Sequence, residues 1–316
     1  FFVIKNVGGY QDRPIALTAP VTVEIKQGAS SAAISKALYE KGLTHKENDF
    51  KNYSKQQKIS QDLKPGVYTF TGEVTLEKIA QILVKGQTNE LKITIPEGLT
   101  VKQTAEKIKE QFEIDLDEFI DYCQNGDFSY DYLPAKGSND RLNGFLFPNT
   151  YFIEKDWTEA QIIDMLLAQF DKTFTDAWRQ RAQEINMSVY DVVTLASIIE
   201  REAQLDVDRP LMSSVFHNRL DINMKLDSCA TIQYLLGEPK AVLTNKDLQI
   251  ESPYNTYQNS GLPPGPIASP GKASLEAALY PADTDYFYFV LNPADNSHVY
   301  SRTLAEHNAN VKKYLK

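Results

Sequence analysis

The chain has only two cysteines in 316 residues, Cys123 and Cys229, and they stand far apart with no CxxC pair. That excludes a thiolate zinc site and a thioredoxin-type redox motif, and leaves open one disulfide or two separate thiols. Histidine is also sparse: His45, His217, His298 and His307 show neither HExxH nor paired metal-ligand spacing. Structural roles are therefore the expected use of His217 and His307. No GxSxG, GxxxxGK[ST] or GxGxxG occurs, which removes the nucleophile elbow, the P-loop and the dinucleotide fingerprint. No apolar run approaches the ~18 residues that span a bilayer, and no signal-peptide pattern is present. Positive charge is short as well, with 33 Lys and Arg against 42 Asp and Glu and a net charge of −9. Binding to nucleic acid draws on Lys and Arg replacing condensed counterions, so no nucleic-acid partner is expected.

What is present describes an ordered protein of more than one domain. Hydrophobic residues make up 42% and charged residues 24%, without a biased tract. Domains cluster around ~100–150 residues, so two or three units are expected. Val21–Ile25 alternates as a strand, Gly28 ends it, and Ala32, Ile34, Ala37 and Leu38 carry a helical period. A helix from His45 to Lys58 follows, then a turn at Lys64-Pro65-Gly66 into the strand Val67–Phe70. Residues 21–70 thus read β-α-α-β, and Thr75–Lys85 reads as a further amphipathic helix. The order recurs with the strand Leu91–Ile95, helices at Thr100–Phe112 and Leu116–Gln124, and a strand at Thr150–Ile153. The phrases Val23–Gly28 (VEIKQG) and Ile93–Gly98 (ITIPEG) mark a diverged internal repeat. From Ser188 a long apolar helix to Ala203, a helix at Pro210–Leu220, a Tyr-, Pro- and Gly-rich stretch and a closing helix–strand–helix read as a separate unit. The fold class is α+β, divided into residues 1–20, 21–90, 91–187 and 188–316.

Two local features carry chemistry. In Leu195–Glu202 (LASIIERE) a carboxylate, Glu200, follows directly on an apolar helical run. Apolar surroundings raise a carboxyl pKa, which makes Glu200 a candidate general acid; a helix-end ion pair with Arg201 or another base is the alternative. Glu202 lies roughly 200° round the helix from Glu200, so the two are not a dyad on one face, while Ser197 shares the face of Glu200. The second feature is Ser252–Tyr257 (SPYNTY) followed by Gly261–Ile267 (GLPPGPI). Prolines and glycines shape a rim, and Tyr and Asn offer ring faces and amides that suit sugars; a Pro-rich connection is the alternative.

These phrases, with Val215–Leu220 (VFHNRL), Gly144–Tyr151 (GFLFPNTY) and Leu304–Val311 (LAEHNANV), resemble the MltG, or YceG-like, endolytic murein transglycosylases. The similarity runs from about Val21 to the C-terminus. It implies a LysM-like module in residues 21–90, a catalytic domain in 188–316, and a catalytic role for Glu200. Candidate substrate contacts are Ser197, Gln233, Tyr254, Asn255 and Tyr257, expected to meet in one groove with Glu200 near its middle and Arg201 and Glu202 turned away. The implied reaction cuts peptidoglycan strands between MurNAc and GlcNAc, leaving 1,6-anhydroMurNAc ends and terminating nascent strands, with no metal or cofactor. A non-catalytic wall-binding scaffold and a muramidase-type hydrolase, its second acid supplied by Glu251 or Asp227, are the alternatives. The resemblance also implies anchoring by one N-terminal helix in the inner membrane before Phe1, residues 1–20 lying close to it. The enzyme would face the periplasm or wall, with peptidoglycan synthases as a further partner class. The sequence departs from the family pattern at Asn143 and Asn149, where acids are expected, and at Ser228-Cys229-Ala230-Thr231.

Overall fold

The computed structural model describes residues 10, 12–86, 90–154, 157–237, 240 and 242–315, in an α+β fold of two compact units, Phe1–Glu90 and Leu91–Lys316. The opening Phe1–Ile4, expected to follow an anchor or leader, lies outside the described residues.

The first unit runs β1 (Ile15–Ala16), β2 (Val21–Ile25), α1 (Ser31–Glu40), α2 (Asp49–Gln56), β3 (Gly66–Phe70), β4 (Glu73–Val74) and α3 (Leu76–Lys85). The alternation in β2 buries Val23 and Ile25 and exposes Thr22 and Glu24. β2 pairs antiparallel with β3, Val23 opposite Tyr68, so residues 21–70 close a β-α-α-β unit. Ser30 and Thr75 start α1 and α3 by accepting backbone N–H groups of Ala33 and Lys78. Leu38, Phe50, Phe70, Ile79 and Leu83 form this unit's own core.

The second unit begins with β5 (Glu90–Ile95), α4 (Val101–Lys109), α5 (Leu116–Asn125), β6 (Asn149–Glu154) and α6 (Glu159–Thr173). β5 pairs with β6, repeating the strand–helix–helix–strand–helix order of the first unit. Gly28 and Gly98 both hold positive φ after their strands, the conformation that favours glycine there. There follow α7 (Asp176–Glu184), α8 (Val189–Glu202), α9 (Arg209–Asp221), α10 (Cys229–Leu236), α11 (Lys272–Leu279), β7 (Tyr288–Asn292), β8 (Ser297–Ser301) and α12 (Leu304–Tyr314). β7 and β8 form an antiparallel hairpin, Tyr288 opposite Ser301.

The sequence suggests a separate unit from Ser188, yet Phe145, Leu166 and Phe170 share one core with Val192, Ile198 and Ala278. The reason is α8 itself. Ser188 and Asp191 cap it in a reciprocal box, and the eight residues from Val192 to Ile199 are all buried. A helix buried all round has no solvent face and needs neighbours on every side. Gly144, φ +87°, lets the GFLFP turn reach it: a Cβ there would lie 2.6 Å from Val193 Cγ1 and 2.7 Å from Pro266 Cβ. Both cysteines are free, Cys123 buried and Cys229 exposed. Among the described residues, no helix is long and apolar enough to cross a membrane.

Candidate active site

The last turn of α8 emerges from the core and carries Glu200, Arg201 and Glu202 in three different directions. Glu200 accepts hydrogen bonds on both carboxyl oxygens, from Arg209 Nη2 at 3.2 Å and from the Gly271 backbone N–H at 2.9 Å. The pair is secluded, with the Arg209 and Glu200 side chains 9% and 7% exposed. Arg209, at the start of α9, also donates to Asp206 and to Ser274 Oγ. Glu202 turns instead to the N-terminus of α10, where it accepts from Ser228 Oγ at 2.5 Å and Ala230 N–H at 2.9 Å. Each carboxylate therefore meets the start of a different helix, α11 or α10, where free N–H groups and the positive dipole end favour a negative charge.

SPYNTY and GLPPGPI both fold back onto this region. Ser197 Oγ donates to Thr194 O and accepts from Ile267 N–H at 3.0 Å, pinning GLPPGPI along α8. Gly265 lies where a Cβ would meet the Tyr190 hydroxyl at 2.3 Å and the Tyr254 hydroxyl at 3.2 Å. Burial, with Tyr254 as the next contributor, pushes the Tyr190 phenol up to about 12. Thr256 accepts the Ser228 N–H and bonds the Thr231 hydroxyl, tying SPYNTY to the start of α10 and so to Glu202.

Between α4, α10 and the end of α8 runs a cleft of ≈ 580 Å³, whose walls include Gly98, Gln103, Asn143, Arg201, Gln233 and Tyr234. A second hollow of ≈ 490 Å³ shares Lys102 and Asp140 with it and continues over α4 and α5.

The expected contacts are distributed unevenly around this cleft. Gln233 lines it, with its side-chain amide bonded both ways to the Lys240 backbone. Tyr254 is half-buried, its ring 5.1 Å from the cleft-wall ring of Tyr234. Tyr257 is half-buried with its hydroxyl 3.0 Å from Cys229 Sγ, and burial raises its pKa. Ser197 and Asn255 are fully buried; the Asn255 amide donates to Leu248 O and Ile250 O and its carbonyl accepts from Tyr257 N–H. These two hold the loops in place, of which Ile267 reaches the cleft wall. Arg201, expected to turn away, lines the cleft and donates to Gly98 O. Among the described residues, Glu200 is not one of the cleft's lining side chains; its carboxyl lies one layer back, its Cγ 4.0 Å from where a Gly98 Cβ would be. A helix turns by about 100° per residue, so Glu200 facing α11 necessarily sends Arg201 towards α10 and α4.

Three residues at the site were not singled out by sequence reasoning. Arg209 begins a helix of low amphipathic contrast and reads as a surface base. Asn143, noted only as a departure, is buried and joins the start of α4 to α10: its carbonyl accepts the Val101 N–H and its amide donates to the Tyr234 hydroxyl. Glu97, in the ITIPEG phrase, lies against Gly271, and its carboxyl is raised by desolvation first and by the charge of Glu200 second. The signal was an acid between Pro96 and Gly98 at a strand end, which is visible but not specific.

Comparison with known proteins covers nearly the whole chain. The YceG-like family matches residues 23–313. A Bacillus subtilis protein named endolytic murein transglycosylase is 35% identical, over 93% of this chain and 85% of its own. A Streptococcus pneumoniae D39 protein of the same name is 32% identical over 93% of this chain, which spans only 58% of that longer relative. The 2.6 Å crystal structure of the yceG-like protein lmo1499 from Listeria monocytogenes superposes with a TM-score of 0.64 at 35% identity, covering 92% of this chain and 98% of that one. With a family match over more than nine-tenths of its length and relatives at this identity, the chain belongs to the YceG-like family.

Proposed function

We propose that the chain is an endolytic peptidoglycan lytic transglycosylase, a lyase that cuts glycan strands between MurNAc and GlcNAc and leaves 1,6-anhydroMurNAc ends. The observation that carries this reading is the cleft at the end of α8 in a chain so similar to proteins of that name. Glu200 is the proposed acid/base. Protonated, it donates to the glycosidic oxygen as the C1–O bond breaks. As carboxylate it then accepts the C6-hydroxyl proton while that oxygen bonds to C1, so no water is consumed and the proton returns to Glu200. Arg209 and the Gly271 N–H support the ionised half of this cycle, because donors to a carboxylate favour its charged form. Arg201, Gln233 and Tyr254 are proposed to bind the sugar and Ser197, Asn255 and Tyr257 to hold the rim.

The β-α-α-β segment of residues 21–70 is proposed as a LysM-like module that binds glycan weakly. The catalytic unit is proposed to face the wall from the inner membrane, where it would meet peptidoglycan synthases. Glu97 beside Glu200 favours one rival reading, hydrolysis by two carboxylates, which would release reducing ends. Mass spectrometry of muropeptides released from purified sacculi separates the cases. Anhydro products support the proposal, reducing products select the hydrolase, and no products leave a wall-binding scaffold.

A further inference from the structure

Glu200 presents a difficulty for its own proposed role. Two donors, one of them a guanidinium, hold both of its oxygens, whereas the proposed cycle also needs the acid that protonates the leaving oxygen. Something nearby has to oppose Arg209.

The opposing group is built into the loop that leaves β5. Gly98 N–H donates to Ser269 O at 2.8 Å and Ser269 N–H donates to Leu99 O at 2.7 Å, so Pro96–Leu99 is stapled to Ser269-Pro270-Gly271. The staple lays Glu97 directly on Gly271: a Cβ at that glycine would fall 1.8 Å from Glu97 Oε1 and 2.8 Å from Oε2. The same residue's N–H donates to Glu200 Oε2. Two carboxyls from distant parts of the chain therefore meet at one residue, Glu97 filling the space a side chain there would take and Glu200 accepting its N–H. The charged groups facing them are Arg209 and Asp206; Arg201 is close by with its guanidinium on Gly98 O, and Lys272 follows Gly271 in the chain. Glu97, Glu200 and Asp206 thus outnumber the one guanidinium, Arg209, that they share.

Resting on the reading of Glu200 as acid/base, we propose that Glu97 is a positioning residue for it: the two carboxyls form a pair across Gly271 that shares one proton against Arg209, keeping that proton available to Glu200 at neutral pH. Glu97 need not touch the sugar. Its work is electrostatic, since a like charge facing a carboxylate disfavours the doubly ionised state, and the titration belongs to the pair. The raised carboxyl of Glu97, with Glu200 among its causes, agrees with this arrangement.

The test is a charge series at Glu97, as Glu97→Asp, Glu97→Gln and Glu97→Lys, with full pH–rate profiles on sacculi and carboxyl-carbon NMR titration of glutamate-labelled protein. Removing the negative charge removes the like charge that disfavours the doubly ionised pair. The alkaline limb should move to lower pH by about one unit in Glu97→Gln and further in Glu97→Lys, and stay near wild type in Glu97→Asp. At pH 8 the Gln variant should lose about tenfold in rate, while near pH 5 it should match wild type within about twofold. In the NMR titration the upper macroscopic step of the pair should disappear. An alkaline limb that does not move, or a loss equal at every pH, overturns the proposal. Wild-type protein that releases no product overturns instead the assignment of Glu200, and the NMR titration still reports whether the pair exists.

Discussion

Replacing Glu200 by Gln isolates the transferable proton from the structural work this side chain also does. Gln keeps an amide oxygen for the Gly271 N–H, and Arg209 retains Asp206 and Ser274. What is lost is one charge-assisted hydrogen bond in a pair more than nine-tenths buried. That amounts to about 1–3 kcal/mol, less than the ~3–5 kcal/mol expected when one partner of a buried pair is removed outright, as in Glu200→Ala. The expected Gln variant is folded, melts somewhat lower, and cuts about 10²–10⁴-fold more slowly, the usual worth of general acid/base catalysis. Glu202→Gln is the matched comparison from the same helical turn. It weakens the cap on Ser228 and Ala230 by about 0.5–2 kcal/mol and should leave cleavage within about tenfold of wild type. Product release followed by mass spectrometry, with a thermal melt for each variant, reads both quantities. Glu200→Gln cutting at more than about a tenth of the wild-type rate refutes the assignment, and loss of cleavage only in Glu202→Gln would transfer the role to Glu202.

A fragment of residues 91–316, which has its own core, should bind sacculi more weakly than the full chain in pull-down yet still cut short soluble glycans; equal binding would remove the glycan role from the first unit. Gly144→Ala combines a positive φ with a Cβ only 2.6 Å from Val193 and should cost at least about 1–3 kcal/mol in denaturant unfolding, an effect a Gly261→Ala change, with open space around it, should exceed nowhere. Lys240 and Thr244 hold the Asp247 carboxyl down to about 2. A depressed acid contributes its stability above the unfolded value near ~3.9 and loses it as pH falls through the folded one. Wild type and Asp247→Asn should therefore differ in melting temperature above pH 4 and converge towards pH 2; a difference independent of pH would contradict that assignment.

Much was legible from local pattern. The period-2 burial of β2, the β-α-α-β order of residues 21–70 and its recurrence after Leu91 follow from alternation, turn residues and capping signals, all encoded within a few residues of where they act. The eight-residue buried stretch of α8, and the arrival of acids at its end, were likewise written in sequence. Helical geometry alone separated Glu200 from Glu202.

Only the tertiary structure decided what each acid meets. Gly271 and Arg209 reach Glu200, Ser228 and Ala230 reach Glu202, and Glu97 comes to rest on Gly271 from more than a hundred residues upstream. Such meetings depend on how buried helices stack, and burial is what turns a distant residue into the strongest electrostatic neighbour, because charges withdrawn from water are screened least. Pattern within the chain can announce that a carboxylate stands at the end of the buried stretch of α8; its partners Arg209 and Gly271, and Glu97 beside them, are joined to it by no local spacing.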